Sequence, residues 1–221
     1  MLNKIDFNQK NSIIFIEVLL IYLGFWFLLN SLSTNGIWET VVLNLLFFLI
    51  LPNFLLKRNF EKEDEGLIQE WLVWLQVGVA VLIFAGLLWF GDLSFLKLNY
   101  LARTDWFVGD WWAIIFFDLI FIPIILFSQE FFFRGFLTKE FSVIFSNKAS
   151  IVIQAVFFVI FEMLFFEVFV WQFVLFNFVL ALFLGFLYSQ TKSVWYSFAT
   201  RWLIILLLDG SILYKIQQFK F

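Results

Sequence analysis

Long apolar segments follow one another along the chain, separated by shorter polar stretches. A helix needs about 20 apolar residues to cross a bilayer. The pattern predicts such segments at about residues 13–30, 37–56, 67–90, 111–133, 149–167, 170–189 and 194–213. We therefore expect an all-α fold, a polytopic transmembrane helix bundle of about seven spans.

Two connections between the predicted spans are strongly polar or unusually long. Residues 57–66 carry the densest charge in the chain, which is typical of a solvated loop. Residues 91–110 form the longest connection, and Trp106 together with the nearby Trp111 and Trp112 suits the aromatic belt at a lipid–water boundary. We expect an interfacial connection here, which divides the chain into a three-span region, residues 1–109, and a four-span core, residues 110–221.

Composition supports a membrane environment. The chain is 63% hydrophobic and 14% charged, with 36 Phe and 11 Trp residues, whereas soluble domains are about half apolar and about a quarter charged. We expect the Phe runs at 131–133, 157–158 and 165–166 to face lipid or fill helix interfaces, with a groove for an isoprenoid chain as the alternative. The first apolar segment lacks a small-residue cleavage site after it, so we interpret it as a retained span.

The chain has no cysteine and no histidine, which limits its chemistry. Disulfides, thiolate nucleophiles and zinc sites of the usual ligand types are excluded, and we expect no metal or other cofactor. A net charge of −3 without a basic stripe argues against a nucleic-acid partner.

Basic residues in the predicted connections set the expected orientation. With the N-terminus in the cytoplasm, eight fall inside and four outside. The inside set is Lys4, Lys10, Lys57, Arg58, Lys62, Lys139, Lys148 and Lys192, and the outside set is Lys97, Arg103, Lys215 and Lys220. We therefore expect a cytoplasmic N-terminus.

Six of the ionisable side chains in or beside the predicted spans are candidates for buried positions, because a charge in lipid costs about 2.5–3.5 kcal/mol unless it is compensated. They are Glu17, Asp118, Glu130, Arg134, Glu162 and Arg201. Glu17 is close to the start of its span, so we expect it to reach the interface. Glu130 and Arg134 are four residues apart and share a helix face. The opposite charges of Glu162 and Arg201 predict that they pair with each other or with the other two.

Residues 122–135, with the sequence IPIILFSQEFFFRG, resemble the first motif of the CAAX-protease and bacteriocin-processing (CPBP, or Abi) family of intramembrane glutamic endopeptidases. That motif is Glu-Glu, three residues, then Arg, often followed by Gly. Phe158 and Glu162 fit a second motif, Phe, three residues, then His. Residues 185–195, GFLYSQTKSVW, are similar to the approach to a third. The resemblance covers about residues 110–210 and implies a membrane-embedded scaffold built for peptide hydrolysis.

Carried onto this chain, the family's catalytic set is not intact. The resemblance places its positions at Gln129, Glu130, Arg134, Glu162, Arg201 and Ile205. Gln129 replaces the Glu that activates water, and an amide cannot accept that proton. Glu162 and Arg201 replace histidines, which suit general acid–base catalysis, whereas arginine stays protonated. Ile205 replaces an Asn and cannot hold an oxyanion.

Three functions are consistent with these replacements. The first is a catalytically degenerate family member in which a Glu162–Arg201 pair fills the former active site. It would bind a hydrophobic or lipidated peptide or serve as an accessory partner of a membrane protein. The second is an active endopeptidase whose Glu130 and Glu162 share a proton, with Arg134 or Arg201 at the oxyanion. The third is a transporter or a structural subunit of a membrane complex, because membrane charges often mark transport paths. We favour the first, and the resemblance implies a bacterial plasma membrane.

Overall fold

Seven helices account for the part of the chain described by the structure, a computed structural model: residues 7–31, 37–52, 70–90, 115–166 and 169–218. In chain order they are α1 Phe7–Ser31, α2 Ile37–Asn44 continued by a π-helical segment Leu45–Ile50, α3 Glu70–Phe90, α4 Phe117–Ile144, α5 Asn147–Phe166, α6 Trp171–Thr191 and α7 Val194–Gln218. Within these residues the predicted all-α fold is confirmed. The polar loop at 57–66 and the whole predicted connection at 91–110, together with Trp111 and Trp112, lie outside the described residues.

Three helices are long and apolar enough to cross a membrane, judged by length and composition over the described residues. They are Phe117–Ile144, Asn147–Phe165 and Trp171–Thr191. Shorter apolar stretches occupy Ile16–Leu28, Glu39–Ile50 and Glu70–Phe84. The division of the chain near residue 109 stays a prediction.

The fourth helix is longer than the hydrophobic pattern predicts. We expected its span to end at residue 133, but α4 runs on to Ile144. Its last two turns are polar in sequence, yet Thr138 and Glu140 are buried, and the Thr138 hydroxyl donates to the Phe133 carbonyl at 3.0 Å. Burial of polar side chains against neighbouring helices, which a hydropathy pattern does not register, accounts for the difference.

Two π-helical segments interrupt α4, at Phe117–Phe121 and Phe131–Leu137. The first directly precedes Pro123, whose ring would clash with the carbonyl four residues earlier in a regular α-helix and whose nitrogen cannot donate. A wider turn accommodates that proline within one continuous helix. The second segment contains Arg134 and begins immediately after Glu130, so it sets the relative direction of these two side chains.

Aromatic side chains fill the interface of α1, α2, α4 and α5. Phe25, Phe48, Phe133 and Phe161 are all buried in one cluster, and their rings meet at centroid distances of 4.9 Å to 6.1 Å. Tyr22 joins them from α1, and its hydroxyl donates to the Phe157 carbonyl at 2.7 Å. These rings therefore fill the helix interfaces, which was one of our two expectations for the Phe runs.

Helices α5 and α6 approach each other closely. At Gly185 of α6 an added Cβ would collide with the Gln154 amide nitrogen of α5 and lie 3.0 Å from Ile151 Cγ2. The Gln154 amide donates to the Ala181 carbonyl at 3.0 Å. On the other side, α7 packs against α3 and the first half of α4.

Large apolar side chains also cover the outside of the bundle. Leu82 is 73% exposed, and Trp71, Phe169, Trp171 and Trp195 are each more than 60% exposed. An apolar interior combined with an apolar exterior fits a lipid surrounding rather than water.

Candidate functional site

Three helices bring four charged side chains to one place inside the bundle. Glu130 and Arg134 come from α4, Glu162 from α5 and Arg201 from α7. Glu130 and Arg134 are 0% exposed, and Glu162 and Arg201 are each 4% exposed. The pattern-based expectation that these residues face other helices is confirmed by their burial. We call these four residues the charge cluster.

Arg201 lies between two carboxylates. Its Nη2 donates to Glu162 Oε1 at 2.7 Å, and its Nη1 donates to Glu130 Oε1 at 3.2 Å. The bond to Glu162 has the length of a charge-assisted hydrogen bond, the strong class, whereas the bond to Glu130 is longer. The expected Glu162–Arg201 pair is therefore present, and Glu130 joins it through the second nitrogen of the same guanidinium.

Arg134 completes the cluster from the π-helical segment of α4. Its Nε lies 3.2 Å from Glu130 Oε2, so the two oxygens of Glu130 face two different guanidinium groups. Two carboxylates and two guanidinium groups make the charge cluster neutral overall when all four are ionised. Such neutrality lowers the penalty of burying charges, although desolvation still offsets much of the attraction.

Phe158 contacts both guanidinium groups. The Arg134 Cζ lies 4.5 Å and the Arg201 Cζ 4.6 Å from the centroid of its ring, within the range of cation–π attraction. The ring is 0% exposed. Phe158 therefore holds both arginines in position from α5, one turn before Glu162.

Gln129 forms its side-chain hydrogen bond with a different helix, α2. Its Nε2 donates to Asn44 Oδ1 at 3.1 Å, and the Asn44 amide in turn donates to the Thr40 carbonyl at 2.8 Å. All three residues are buried. This chain of amide hydrogen bonds ties α4 to α2 and leaves Gln129 as a structural donor.

The remaining predicted residues lie outside the charge cluster. Ile205 is partly buried in an apolar group with Phe121 and Leu126 of α4. Asp118 is buried near the start of α4, where its backbone carbonyl accepts the Trp202 indole N–H at 3.1 Å. Glu17 is half-buried on α1.

Two contributors were not identified from the sequence. Asn44 is a neutral residue in an apolar segment and was therefore not among the charged candidates. An amide side chain on an apolar helix favours burial against a polar partner, and this was the available signal for Asn44. Phe158 was noted only for its motif position. Its place one helical turn before Glu162 puts it on the same helix face as a charged residue, which was the available signal for a contact with the charge cluster. Among the described residues, no group of three His, Cys, Asp or Glu side chains is arranged to hold a metal ion.

Comparison with known families adds to this geometry. Residues 108–207 match the family model described as Type II CAAX prenyl endopeptidase Rce1-like. This segment, a little under half of the chain, is therefore similar to the Rce1-like family. Neither the curated proteins nor the solved structures gave a match.

The Rce1-like match covers the whole charge cluster. Glu130, Arg134, Glu162 and Arg201 lie within residues 108–207, as do Gln129 and Ile205. Asn44 and Thr40 lie outside the matched residues. The match therefore confirms the resemblance drawn from the three motifs. The contact between Gln129 and Asn44 of α2 involves a part of the chain outside the match.

Proposed function

We propose that this Rce1-like protein is a catalytically degenerate family member in which the charge cluster replaces the hydrolytic centre. Its role is then to bind a hydrophobic or lipidated peptide, or to act as an accessory partner of another membrane protein. The observation that carries the proposal is the position of Arg201, which donates to Glu162 and Glu130 at 2.7 Å and 3.2 Å.

A guanidinium in that position opposes base catalysis. A general base must reach the proton that it removes, directly or through one water. Here the nearest oxygens of Glu130 and Glu162 already accept hydrogen bonds from a group that stays protonated. The Oε1 atom of each carboxylate is therefore engaged with Arg201 and is not free to accept a proton from water.

The other motif positions point the same way. The chain has no histidine to transfer protons at neutral pH. Gln129 is engaged with Asn44, and an amide is not a base. Ile205 lies among apolar side chains, where it offers no hydrogen bond to an oxyanion.

The active alternative requires Glu130 and Glu162 to share one proton, as paired carboxylates do when no cation separates them. Here a cation does separate them, because Arg201 lies between the two carboxylates and donates to each of them. This argument supports the degenerate reading over the active one. We further propose a bacterial plasma membrane location, on the basis of the family resemblance. A cytoplasmic N-terminus is proposed from the eight-to-four distribution of basic residues.

A cleavage and binding assay in liposomes tests the proposal. Purified protein is incubated with a panel of prenylated peptides and one transmembrane peptide, and products are detected by mass spectrometry. We expect no cleavage above protein-free liposomes and equal results for wild type and Glu162→Gln. Binding is followed in parallel by fluorescence of a labelled prenylated peptide.

An active family endopeptidase in the same liposomes serves as the positive control, so that an inert substrate is recognised. Cleavage by the wild type that is lost in Glu162→Gln would contradict the proposal and support the carboxylate-pair mechanism. Saturable peptide binding without cleavage is the expected result. Flux of ions or solutes through the reconstituted protein would instead favour the transporter alternative.

A further inference from the structure

A polar cavity lies at one end of the bundle, and none of the charge-cluster residues lines it. It is formed where α4 ends, α5 begins and α6 ends, and its volume is about 50 Å³. One water needs about 10–15 Å³ by the same measure. The cavity therefore has room for a few water molecules or one small oxyanion, and is too small for a nucleotide or a peptide.

The lining of this cavity is polar and basic. Lys139 and Lys192 contribute ammonium groups, and Ser142, Ser150 and Tyr188 contribute hydroxyls. Among the described residues, no carboxylate lines it. The amino end of α5 adds a partial positive charge and the carboxyl ends of α4 and α6 add partial negative ones, so the two lysines set the sign. The site thus suits an anion.

The hydroxyl groups have fixed positions but adjustable protons. Ser142 donates to the Lys139 carbonyl at 2.7 Å, and Ser150 donates to the Asn147 carbonyl at 2.8 Å. A hydroxyl hydrogen rotates to suit its partner, so each can turn toward an anion's oxygen. Ser150 is 0% exposed, which places this hydroxyl at the closed side of the cavity.

Lys192 occupies a backbone conformation that lysine rarely adopts. It ends α6 with φ 55°, and among the described residues it is the one non-glycine residue with positive φ. Glycine is the usual residue there because it has no Cβ. Lysine at this point places a charged residue in the cavity lining at a cost in backbone energy.

The surroundings of the cavity match the edge of a bilayer. Two helices that border it, Asn147–Phe165 and Trp171–Thr191, are among those long and apolar enough to cross a membrane. Phe145 beside it is 39% exposed and Trp195 at the start of α7 is 64% exposed, and exposed aromatic residues favour the lipid–water boundary. Phosphate groups of lipids lie at that depth.

We propose that this cavity is a binding site for a phosphate group, held by Lys139 and Lys192 together with the surrounding hydroxyls. Two sources share this chemistry, a phospholipid headgroup and free phosphate. Lysine is a common phosphate ligand because it presents a compact charge with three donors.

The test uses the full chain purified in a maltoside detergent. Native mass spectrometry measures retention of phosphatidylglycerol against diacylglycerol, which lacks the phosphate. Thermal denaturation measures protection by inorganic phosphate against chloride at equal ionic strength. We compare wild type, Lys139→Gln/Lys192→Asn, and Lys148→Gln. Lys148 is exposed at the same end of the bundle and does not line the cavity, so it is the matched charge control.

We expect the double variant to bind phosphatidylglycerol about 30-fold more weakly than wild type, and Lys148→Gln to bind within about twofold of it. Protection by inorganic phosphate as well identifies free phosphate as a second ligand, and retention of the lipid alone identifies the headgroup. The proposal is overturned if wild type distinguishes neither lipid nor salt, or if Lys148→Gln weakens binding as much as the double variant. Lys192→Gly, which suits positive φ, repeats the charge removal should Lys192→Asn fold poorly.

Discussion

Replacing Arg201 by methionine tests how much the charge cluster depends on its central cation. Methionine keeps an unbranched apolar stem and removes the guanidinium group with its charge. In Arg201→Met, Glu130 retains its contact with Arg134 at 3.2 Å, whereas Glu162 loses a hydrogen bond of 2.7 Å. Both carboxylates remain buried, so the variant lacks one of the two positive charges that offset them.

The size of the effect follows from the distances. At an effective dielectric constant of about 20, contacts of 2.7 Å and 3.2 Å correspond to attractions of about 6 and about 5 kcal/mol. Desolvation of the three groups offsets most of this gain. Removing one partner of a buried pair leaves the desolvation uncompensated, and we expect Arg201→Met to lower the free energy of unfolding by about 3–5 kcal/mol.

A double-mutant cycle separates this term from lost packing. Unfolding free energies are measured in mixed micelles by titration with a denaturing detergent, for wild type, Arg201→Met, Glu162→Met and the double variant. Because the double variant again has a neutral cluster, with Glu130 and Arg134 left, we expect it to be more stable than the sum of the single changes by about 2–3 kcal/mol.

Glu70 supplies the control for this cycle, because it is an exposed carboxylate at the start of α3. Arg201→Met and Glu70→Met are expected to be additive within about 0.5 kcal/mol. Additivity of Arg201→Met with Glu162→Met, or a cost for Arg201→Met below about 1 kcal/mol, would refute the reasoning, since an exposed ion pair behaves in that way.

Two further changes test the packing around the site, each measured as a shift in the same unfolding transition. Phe158→Leu removes a ring lying 4.5 Å and 4.6 Å from two guanidinium carbons. It is expected to lower the free energy of unfolding by about 1–2 kcal/mol more than Phe132→Leu, which changes an equally buried phenylalanine. Equal costs for the two variants would argue against the cation–π contribution. Gly185→Ala forces a methyl group against the Gln154 amide and is expected to destabilise by about 1–3 kcal/mol. Gly78→Ala is the control, because no atom lies within 4 Å of the new Cβ, and it is expected to stabilise its helix by up to about 1 kcal/mol. If Gly185→Ala left the free energy of unfolding unchanged, α5 and α6 would separate easily.

Much of the helix arrangement could be predicted from the sequence because hydrophobic segments in lipid have few alternatives to helix. The positions of α5, α6 and α7 were predicted within a few residues of their starts. The end of α4 could not be predicted in this way. Polar residues such as Thr138 and Glu140 predict a loop after an apolar segment. They continue the helix here because neighbouring helices bury them, and the sequence does not show which helices are neighbours.

The charge cluster was predicted in part for a similar reason. An ionisable residue in lipid needs a partner, and Glu162 and Arg201 have opposite signs. The sequence did not indicate that one guanidinium would serve Glu162 and Glu130 together, because this requires three helices at fixed distances. The contact between Gln129 and Asn44 joins residues 85 positions apart, and neither spacing nor composition connects them.

Single-turnover hydrolysis in water labelled with ¹⁸O tests the central claim most directly. The protein is present in excess over a prenylated peptide in liposomes, and mass spectrometry follows incorporation of ¹⁸O into a new carboxyl group. With Arg201 donating to both Glu130 and Glu162, we predict no labelled product above the protein-free reaction. A labelled product that forms with the wild type and disappears in Glu162→Gln would show that these carboxylates still activate water, and would contradict the account.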